Sequence, residues 1–315
     1  MVVADIHGDW EVYARCRDIF LTRRALGEAD ILLFLGDLIH GEGMPYEDRS
    51  LEIVRDIMRL QSELGSAVLC LCGNHELPHM YGFGLSKGRR DYTPKFEARL
   101  TAEGDRAAVL DFFYSLPLFI RTPSGVSLTH AGAAKEIEDL EIAKIVFNWD
   151  HQQRLDKANQ ALAQENVANV RRSYAHLSGG DSYDSLARHY MGVTGPDDPR
   201  YDVLLQGMFA MLDPQFDYLY TTLFTKCEKH YGLLTYSHVL RRLLDYLSYD
   251  YINQHILVAG HINVDAGHEI VAGQHLRLTS NYHQKRENGV YLLFNTAKPV
   301  LQASNLQENI YPIWS

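Results

Sequence analysis

Cysteine is scarce: the 315-residue chain has four, Cys16, Cys70, Cys72 and Cys227. No two stand at a zinc-finger spacing. Cys70 and Cys72 lie in the apolar run AVLCLC, where strand alternation sends them to opposite faces. The expectation is therefore buried free thiols in a reducing compartment, not a disulfide scaffold. Long apolar runs are missing too. With no stretch of membrane-spanning length and no secretory h-region, the expected location is the cytoplasm. Positive charge is in deficit: Lys and Arg total 30 against 40 Asp and Glu, a formal net charge of −10. That leaves no basic footprint for a nucleic-acid polymer or an anionic membrane. The chain has no internal repeat and no low-complexity tract. What remains, 46% hydrophobic and 22% charged residues, suits a large globular core, either one domain or one domain with a second inserted.

Three short apolar runs in the first half end in polar clusters. VVA runs into DIHGD, ILLFL into GDLIHGEG, and AVLCLC into GNHE. Buried strands end this way at the mouth of an α/β sheet. Met1 leads straight into the first run, so either that strand is short or the chain has been trimmed there. Helical patterns fill the gaps at 10–26 and 47–64, the second closed by Gly65 as C-cap. After a helix near 105–115, LPLFIRT and GVSLTHAG flank Pro-Ser-Gly and read as a hairpin ending in His130. The alternation argues for an α/β fold. Residues 151–255 change character: strand signals vanish, and helical periodicity appears at 152–171, 201–212, 216–230 and 236–251. This stretch reads as a helical insertion or cap between 1–150 and 256–315, where HILVAGH, HLRLTSNY and GVYLLFN restore the strand pattern.

The strand ends carry the chemistry. Side by side they are Asp5-x-His7, Gly36-Asp37, Gly73-Asn74-His75-Glu76, Thr129-His130-Ala131-Gly132 and Gly260-His261. Each offers a hard oxygen or an imidazole nitrogen, a mixed set that suits manganese, iron or zinc. Two divalent ions about 3.5–4 Å apart can clamp a phosphoryl group and acidify a shared water. A carboxylate with two oxygens suits the bridging position. DxHG alone, or a lone GD, says little, and a core histidine bonded to main chain would explain His130 or His261 singly. It does not explain five matches in order, each at a strand end.

In order and residue type these motifs resemble those of the calcineurin-like metallophosphoesterases, and within them the PPP phosphatases. That branch includes protein serine/threonine phosphatases and diadenosine-tetraphosphate hydrolases. LPLFIRTPSGVSLTHAG is similar to the hairpin carrying the family's HGG histidine, and Trp149-Asp150 stands at a WxD-like turn. LTSNYHQKRENGVYLLF resembles the SAPNYxxxxxNxG segment through Asn281, Tyr282, Asn288 and Gly289. The resemblance covers about residues 1–150 and 256–302 and implies an α/β/β/α sandwich, two central mixed sheets flanked by helices. It implies that Asp5, His7 and Asp37 hold one metal and that Asp37, Asn74, His130 and His261 hold a second, with Asp37 bridging. His75 becomes the general acid, and Tyr282 lines the substrate pocket. The reaction implied is attack on a phosphate ester by a water or hydroxide between two divalent ions, manganese first, iron or zinc next.

The chain departs from the pattern at one place. Where the family has GDxxDRG, it reads Gly36, Asp37, Leu38, Ile39, His40, Gly41, Glu42, Gly43. The aspartate that orients the acid and the arginine that grips phosphate are both missing. His40 stands in the aspartate's slot, with Glu42 close by. Arg89, Arg90, Arg171, Arg172 and Arg286 are candidates for the lost arginine. His79, His268 and His283 are set aside, His268 as a loop residue. The leading expectation is a phosphomonoesterase acting on phosphoproteins or small phosphoesters. The alternative is a nucleotide or dinucleoside-polyphosphate hydrolase or phosphodiesterase, with Tyr183, Tyr190, Tyr201, Tyr218 and Tyr220 as stacking surfaces. A non-catalytic module keeping the fold is disfavoured, because unused ligands are costly buried polar groups.

Overall fold

The short apolar runs become short strands. In chain order they are β1 (Val2–Val3), β2 (Leu32–Phe34), β3 (Val68–Cys70), β4 (Ser86–Lys87), β5 (Arg90–Asp91) and β6 (Phe119–Arg121). Then follow β7 (Val126–Thr129), β8 (Ile256–Ala259), β9 (His268–Val271), β10 (His275–Leu278), β11 (Val290–Leu292) and β12 (Ile310–Pro312). These come from a computed structural model of Met1–Ser315. It describes all residues except Glu42, Arg89, Glu136, 138–143, Phe147, Gly180, Asp181, 282–284 and Ser315, and leaves the Cys227 side chain undescribed.

The chain divides into two compact units, one of Met1–His75, Leu116–Phe147 and Leu219–Ser315, the other of Glu76–Ser115 and Asn148–Tyr218. The helical stretch 151–255 is thus shared, its later part belonging with the sheets. The first unit holds two five-stranded sheets, ordered β12-β11-β1-β2-β3 and β6-β7-β8-β10-β9. Both are mixed. In the first sheet β1, β2 and β3 run parallel while β11 is antiparallel to β1 and β12. In the second β7, β8 and β10 run parallel, with β6 and β9 antiparallel at the edges. Alternation explains the packing. Leu33 and Leu35, Val126 and Leu128, Ile256 and Val258, Leu276 and Leu278, and Val290 and Leu292 share one buried cluster drawn from both sheets. Helices cover outward residues such as Phe34, whose ring lies 5.8 Å from that of Tyr13.

Two helices frame the start of this unit. Helix α1 (Trp10–Ala25) begins because the Asp9 carboxylate accepts from the Glu11 and Val12 N–H groups at 3.1 and 3.2 Å, and Arg23 and Arg24 sit in its last turn. Helix α2 (Ser50–Leu64) buries Leu51, Ile53, Val54, Ile57 and Leu60 at helical spacing and stops at Gly65 with φ 59°. The expected hairpin forms, pairing Phe119 with Thr129. In this unit two strands were not expected: β9, which begins at His268 rather than leaving that residue in a loop, and β12.

The second unit is mostly helical, with the small ribbon β4-β5. The pattern at 152–171 resolves into two helices, His151–Ala163 and Val167–Leu177, because Asn166 caps the second through the Asn169 N–H at 3.1 Å. Its apolar cluster gathers Tyr183, Leu186, Met191, Tyr201 and Leu204. Among the described residues, no helix is long and apolar enough to cross a membrane.

Candidate metal centre

Asp5, His7, Asp37, His40, Asn74, His75, His130 and His261 all belong to the first unit and stand just past the C-terminal ends of β1, β2, β3, β7 and β8. The turns there are tight. His7, Asp37, His40 and His261 have φ of 49, 50, 73 and 63°, four of the six described non-glycine residues with positive φ. Strain of this kind, about 1–3 kcal/mol each, persists where the surroundings over-determine it, and it gathers at functional sites. At Gly36, φ 101°, a Cβ would stand 2.7 Å from the Gly73 Cα, so the ends of β2 and β3 can approach only without a side chain.

Backbone donors aim the carboxylates. The His75 N–H donates to Asp37 Oδ1 at 2.9 Å, and the His261 N–H donates to both Asp5 oxygens at 3.0 and 3.1 Å. Each motif therefore positions its neighbour's ligand atom. Main-chain carbonyls fix two imidazoles. His130 Nδ1 lies 2.9 Å from the Leu35 carbonyl oxygen and His7 Nδ1 lies 3.3 Å from that of Ile39. A carbonyl only accepts, so these nitrogens donate, and Nε2 of each ring is the atom left to face the cluster. Those atoms converge on the other ligand candidates. His130 Nε2 lies 2.9 Å from the Asn74 amide oxygen, 3.1 Å from His261 Nδ1 and 3.5 Å from Asp37 Oδ1. His7 Nε2 lies 3.8 Å from Asp5 Oδ2 and 3.7 Å from Asp37 Oδ2.

Burial disfavours the charged form of two of the rings. Desolvation first, then the neighbouring His130 ring, pushes His261 down to about 3. Desolvation, followed by the His7 and His40 rings, holds His75 well below the ordinary histidine range. This donor set fits a hard divalent ion. Two groupings bring ligand atoms within 4.8 Å of one another: His7, Asp37 and His75, and Asp37, His130 and His261. Asp37 is common to both.

On the substrate side, His40 Nδ1 lies 3.0 Å from His75 Nδ1, so the residue in the aspartate's slot does meet the acid candidate. Tyr282, Arg89, Glu42 and His283 lie outside the described residues. Arg90 is exposed on β5 of the second unit, and His79 in that unit is buried against Glu97 at 2.8 Å. Arg171 makes a two-point pair with Asp202 at 2.9 and 2.6 Å, and Arg172 bonds to Asn169. Arg286 is paired with Asp9 at 2.7 Å and with Glu11. Tyr183 packs edge-on to Tyr201 inside the second unit's apolar cluster.

Sequence reasoning gave no role to three supports. Tyr46 donates its hydroxyl to the His7 carbonyl oxygen at 2.9 Å, Asn281 donates to that of Ile6 at 2.7 Å, and the Ser50 hydroxyl accepts from the His40 N–H at 2.9 Å. Only Asn281 carried a signal, its place in the NY motif.

Two mixed sheets with a carboxylate, amide and imidazole cluster at their strand ends define a metal-dependent hydrolase of the two-sheet α/β class. The sequence model of the calcineurin-like phosphoesterases matches residues 1–207, and the chain belongs to that family of divalent-metal-dependent enzymes acting on phosphate esters. In fold it is similar to a point mutant of a cold-active protein tyrosine phosphatase, at a TM-score of 0.51 and 12% identity over 92% of this chain and 73% of that one. A protein serine/threonine phosphatase from Saccharomyces cerevisiae, described as similar to human phosphatase PP5, aligns at a TM-score of 0.48 and 13% identity over 100% of this chain and 79% of that one. No curated protein matches the chain.

Proposed function

We propose that the chain is a dinuclear-metal-dependent phosphomonoesterase of the PPP type, acting on phosphoserine and phosphothreonine in proteins or on small phosphorylated metabolites. The observation that carries this reading is the convergence of the His7 and His130 Nε2 atoms on Asp37. In this reading Asp5, His7 and Asp37 hold one ion, and Asp37, Asn74, His130 and His261 hold the other. When bound, the ions, manganese in preference to iron or zinc, neutralise phosphoryl charge and acidify the attacking water. The backbone N–H groups of His75 and His261 keep the carboxylates aimed before any ion arrives, as supporting bonds to ligands do. His75 is the general acid: its imidazolium, the form that burial disfavours, gives a proton to the departing alkoxide while His40 meets Nδ1 and fixes the ring plane. A reducing cytoplasm fits the buried free thiols of Cys16, Cys70 and Cys72.

Purified protein should carry about two equivalents of divalent metal per chain. It should hydrolyse p-nitrophenyl phosphate in a Mn²⁺-dependent manner, faster than bis-p-nitrophenyl phosphate. No bound metal and no response to added Mn²⁺ would overturn the reading.

One observation favours a second reading. His75 Nδ1 meets an imidazole where the family pattern has a carboxylate. An imidazole partner orients the ring without adding negative charge, so less of it carries the proton it must give. Phosphoanhydride leaving groups depart without a proton, which would suit a nucleotide or dinucleoside-polyphosphate hydrolase. Higher kcat/KM on a dinucleoside polyphosphate than on phosphopeptides would favour it.

A further inference from the structure

The partner of the acid candidate is itself held in an unfavourable backbone conformation. His40 is buried, and its φ of 73° lies in the left-handed region, where the Cβ of a side chain crowds the following carbonyl oxygen. A histidine stays there only where its surroundings over-determine it. Ser50, the first residue of α2, contributes to that. It is buried, and its hydroxyl oxygen accepts from the His40 N–H at 2.9 Å. Asp48 holds the hydroxyl from the other side. Its Oδ1 accepts from the Ser50 O–H and, at 3.0 Å, from the Ser50 N–H. A serine hydroxyl has one hydrogen. Since it goes to Asp48, the oxygen lone pairs are turned to the His40 N–H.

The same pair leaves room only for glycine at position 8. Gly8 has φ 70°, and a Cβ there would stand 2.9 Å from the Ser50 hydroxyl and closer still to the Asp48 carboxylate. The Gly8 carbonyl oxygen accepts from the Arg49 N–H at 2.9 Å, and the Gly8 N–H donates to the Leu38 carbonyl oxygen at 2.9 Å. The turn after β1, residues 38–40 and the start of α2 are thus tied into one piece within the first unit, with Ser50 at the junction. A line of contacts runs from Asp48 to Ser50, from Ser50 to the His40 main chain, and from His40 Nδ1 to His75 Nδ1 at 3.0 Å.

We propose that Ser50, backed by Asp48, is a positioning residue for the general acid: it fixes the His40 main chain so that the His40 ring meets His75. This rests on the phosphomonoesterase reading above. The test compares full-length wild type, Ser50→Ala and Asp48→Asn loaded with Mn²⁺. Turnover of an alkyl phosphate and of p-nitrophenyl phosphate is measured with metal content, and crystal structures of each give the separation of the His40 and His75 Nδ1 atoms. Ser50→Ala should lower alkyl phosphate turnover about tenfold and keep p-nitrophenyl phosphate turnover within about twofold, with metal content unchanged. Its two Nδ1 atoms should part beyond about 3.5 Å. Asp48→Asn keeps an acceptor for the hydroxyl, so it should show the same selectivity at smaller size, and it carries the test if Ser50→Ala fails to fold. In a His40→Ala background neither substitution should change the ratio of the two rates, because the effect passes through His40. Equal losses on both substrates, or a selective loss that persists without His40, overturn the proposal. So does an unchanged Nδ1 separation in Ser50→Ala. A wild type that hydrolyses no phosphate ester with Mn²⁺ present sinks the phosphoesterase reading instead, and the Nδ1 separation still decides whether Ser50 positions the pair.

Discussion

Both units bury histidines, but the two sets are bonded in opposite ways. In the second unit His79 Nδ1 lies 2.8 Å from Glu97, whose other oxygen takes Arg106 at 2.9 Å, and His151 Nδ1 lies 2.7 Å from the Tyr81 hydroxyl. Each of these rings meets a hydroxyl or a counter-charge. In the first unit His130 Nε2 faces an amide oxygen and a second imidazole nitrogen. His275 shows that unit membership is not the cause. It lies in the first unit yet follows the other pattern, with Nδ1 2.6 Å from the Tyr236 hydroxyl. Burial alone therefore does not mark a metal centre. Imidazole nitrogens gathered with carboxylate and amide oxygens around one point do, because that set of atoms suits a divalent ion.

The contrast breaks first at Asp37. Asp37→Asn removes the carboxylate common to both ligand groups and should lower kcat/KM on p-nitrophenyl phosphate on the order of a thousandfold at saturating Mn²⁺. A loss under tenfold would remove Asp37 from the shared position. The second-unit counterpart should spare the chemistry and weaken the fold. Glu97→Gln strips His79 and Arg106 of their common counter-charge, at a cost of about 3 kcal/mol in denaturant unfolding, with metal content unchanged. Metal removal acts in the reverse sense. At 100 times Kd, bound ion stabilises by about 2.7 kcal/mol, so a chelator should lower the thermal midpoint of wild type and Glu97→Gln alike. The two losses should add to within about 0.5 kcal/mol. Strong coupling between them would mean that the units do not separate as their bonding suggests.

The candidate ligand positions stood out in the sequence because the apolar runs end in glycine beside a polar residue. Period-2 alternation accounts for Leu33, Val126, Ile256 and Leu276 facing the two-sheet core. The edges were not legible. HEIV in β9 is half-exposed and polar, so it carries no apolar run to mark a strand at His268. Helix Tyr183–Met191 was missed because Gly179, Gly180 and Pro196 on either side read as punctuation of a loop. The strongest support for the metal centre, the Leu35 and Ile39 carbonyls that fix His130 and His7, leaves no trace in a sequence, since every residue has a carbonyl. His40 was visible by its slot, but its partnership with His75 needed the 3.0 Å separation.

That partnership gives the smallest and sharpest test. His40→Asp restores the carboxylate of the family pattern. The backbone can take it: φ at this position is 73°, in the left-handed region that aspartate enters several-fold more readily than most residues. A carboxylate in hydrogen-bond reach of His75 Nδ1 stabilises the imidazolium, where a second imidazole competes for the same proton. The raised pKa makes the acid form more abundant. The gain should appear where a proton is needed. Turnover of an alkyl phosphate should rise about tenfold relative to p-nitrophenyl phosphate, whose leaving group departs unaided. In a His75→Asn background the difference should vanish, because the two residues act through one bond. An equal change on both substrates would show that His40 acts on the metal cluster and not on the acid.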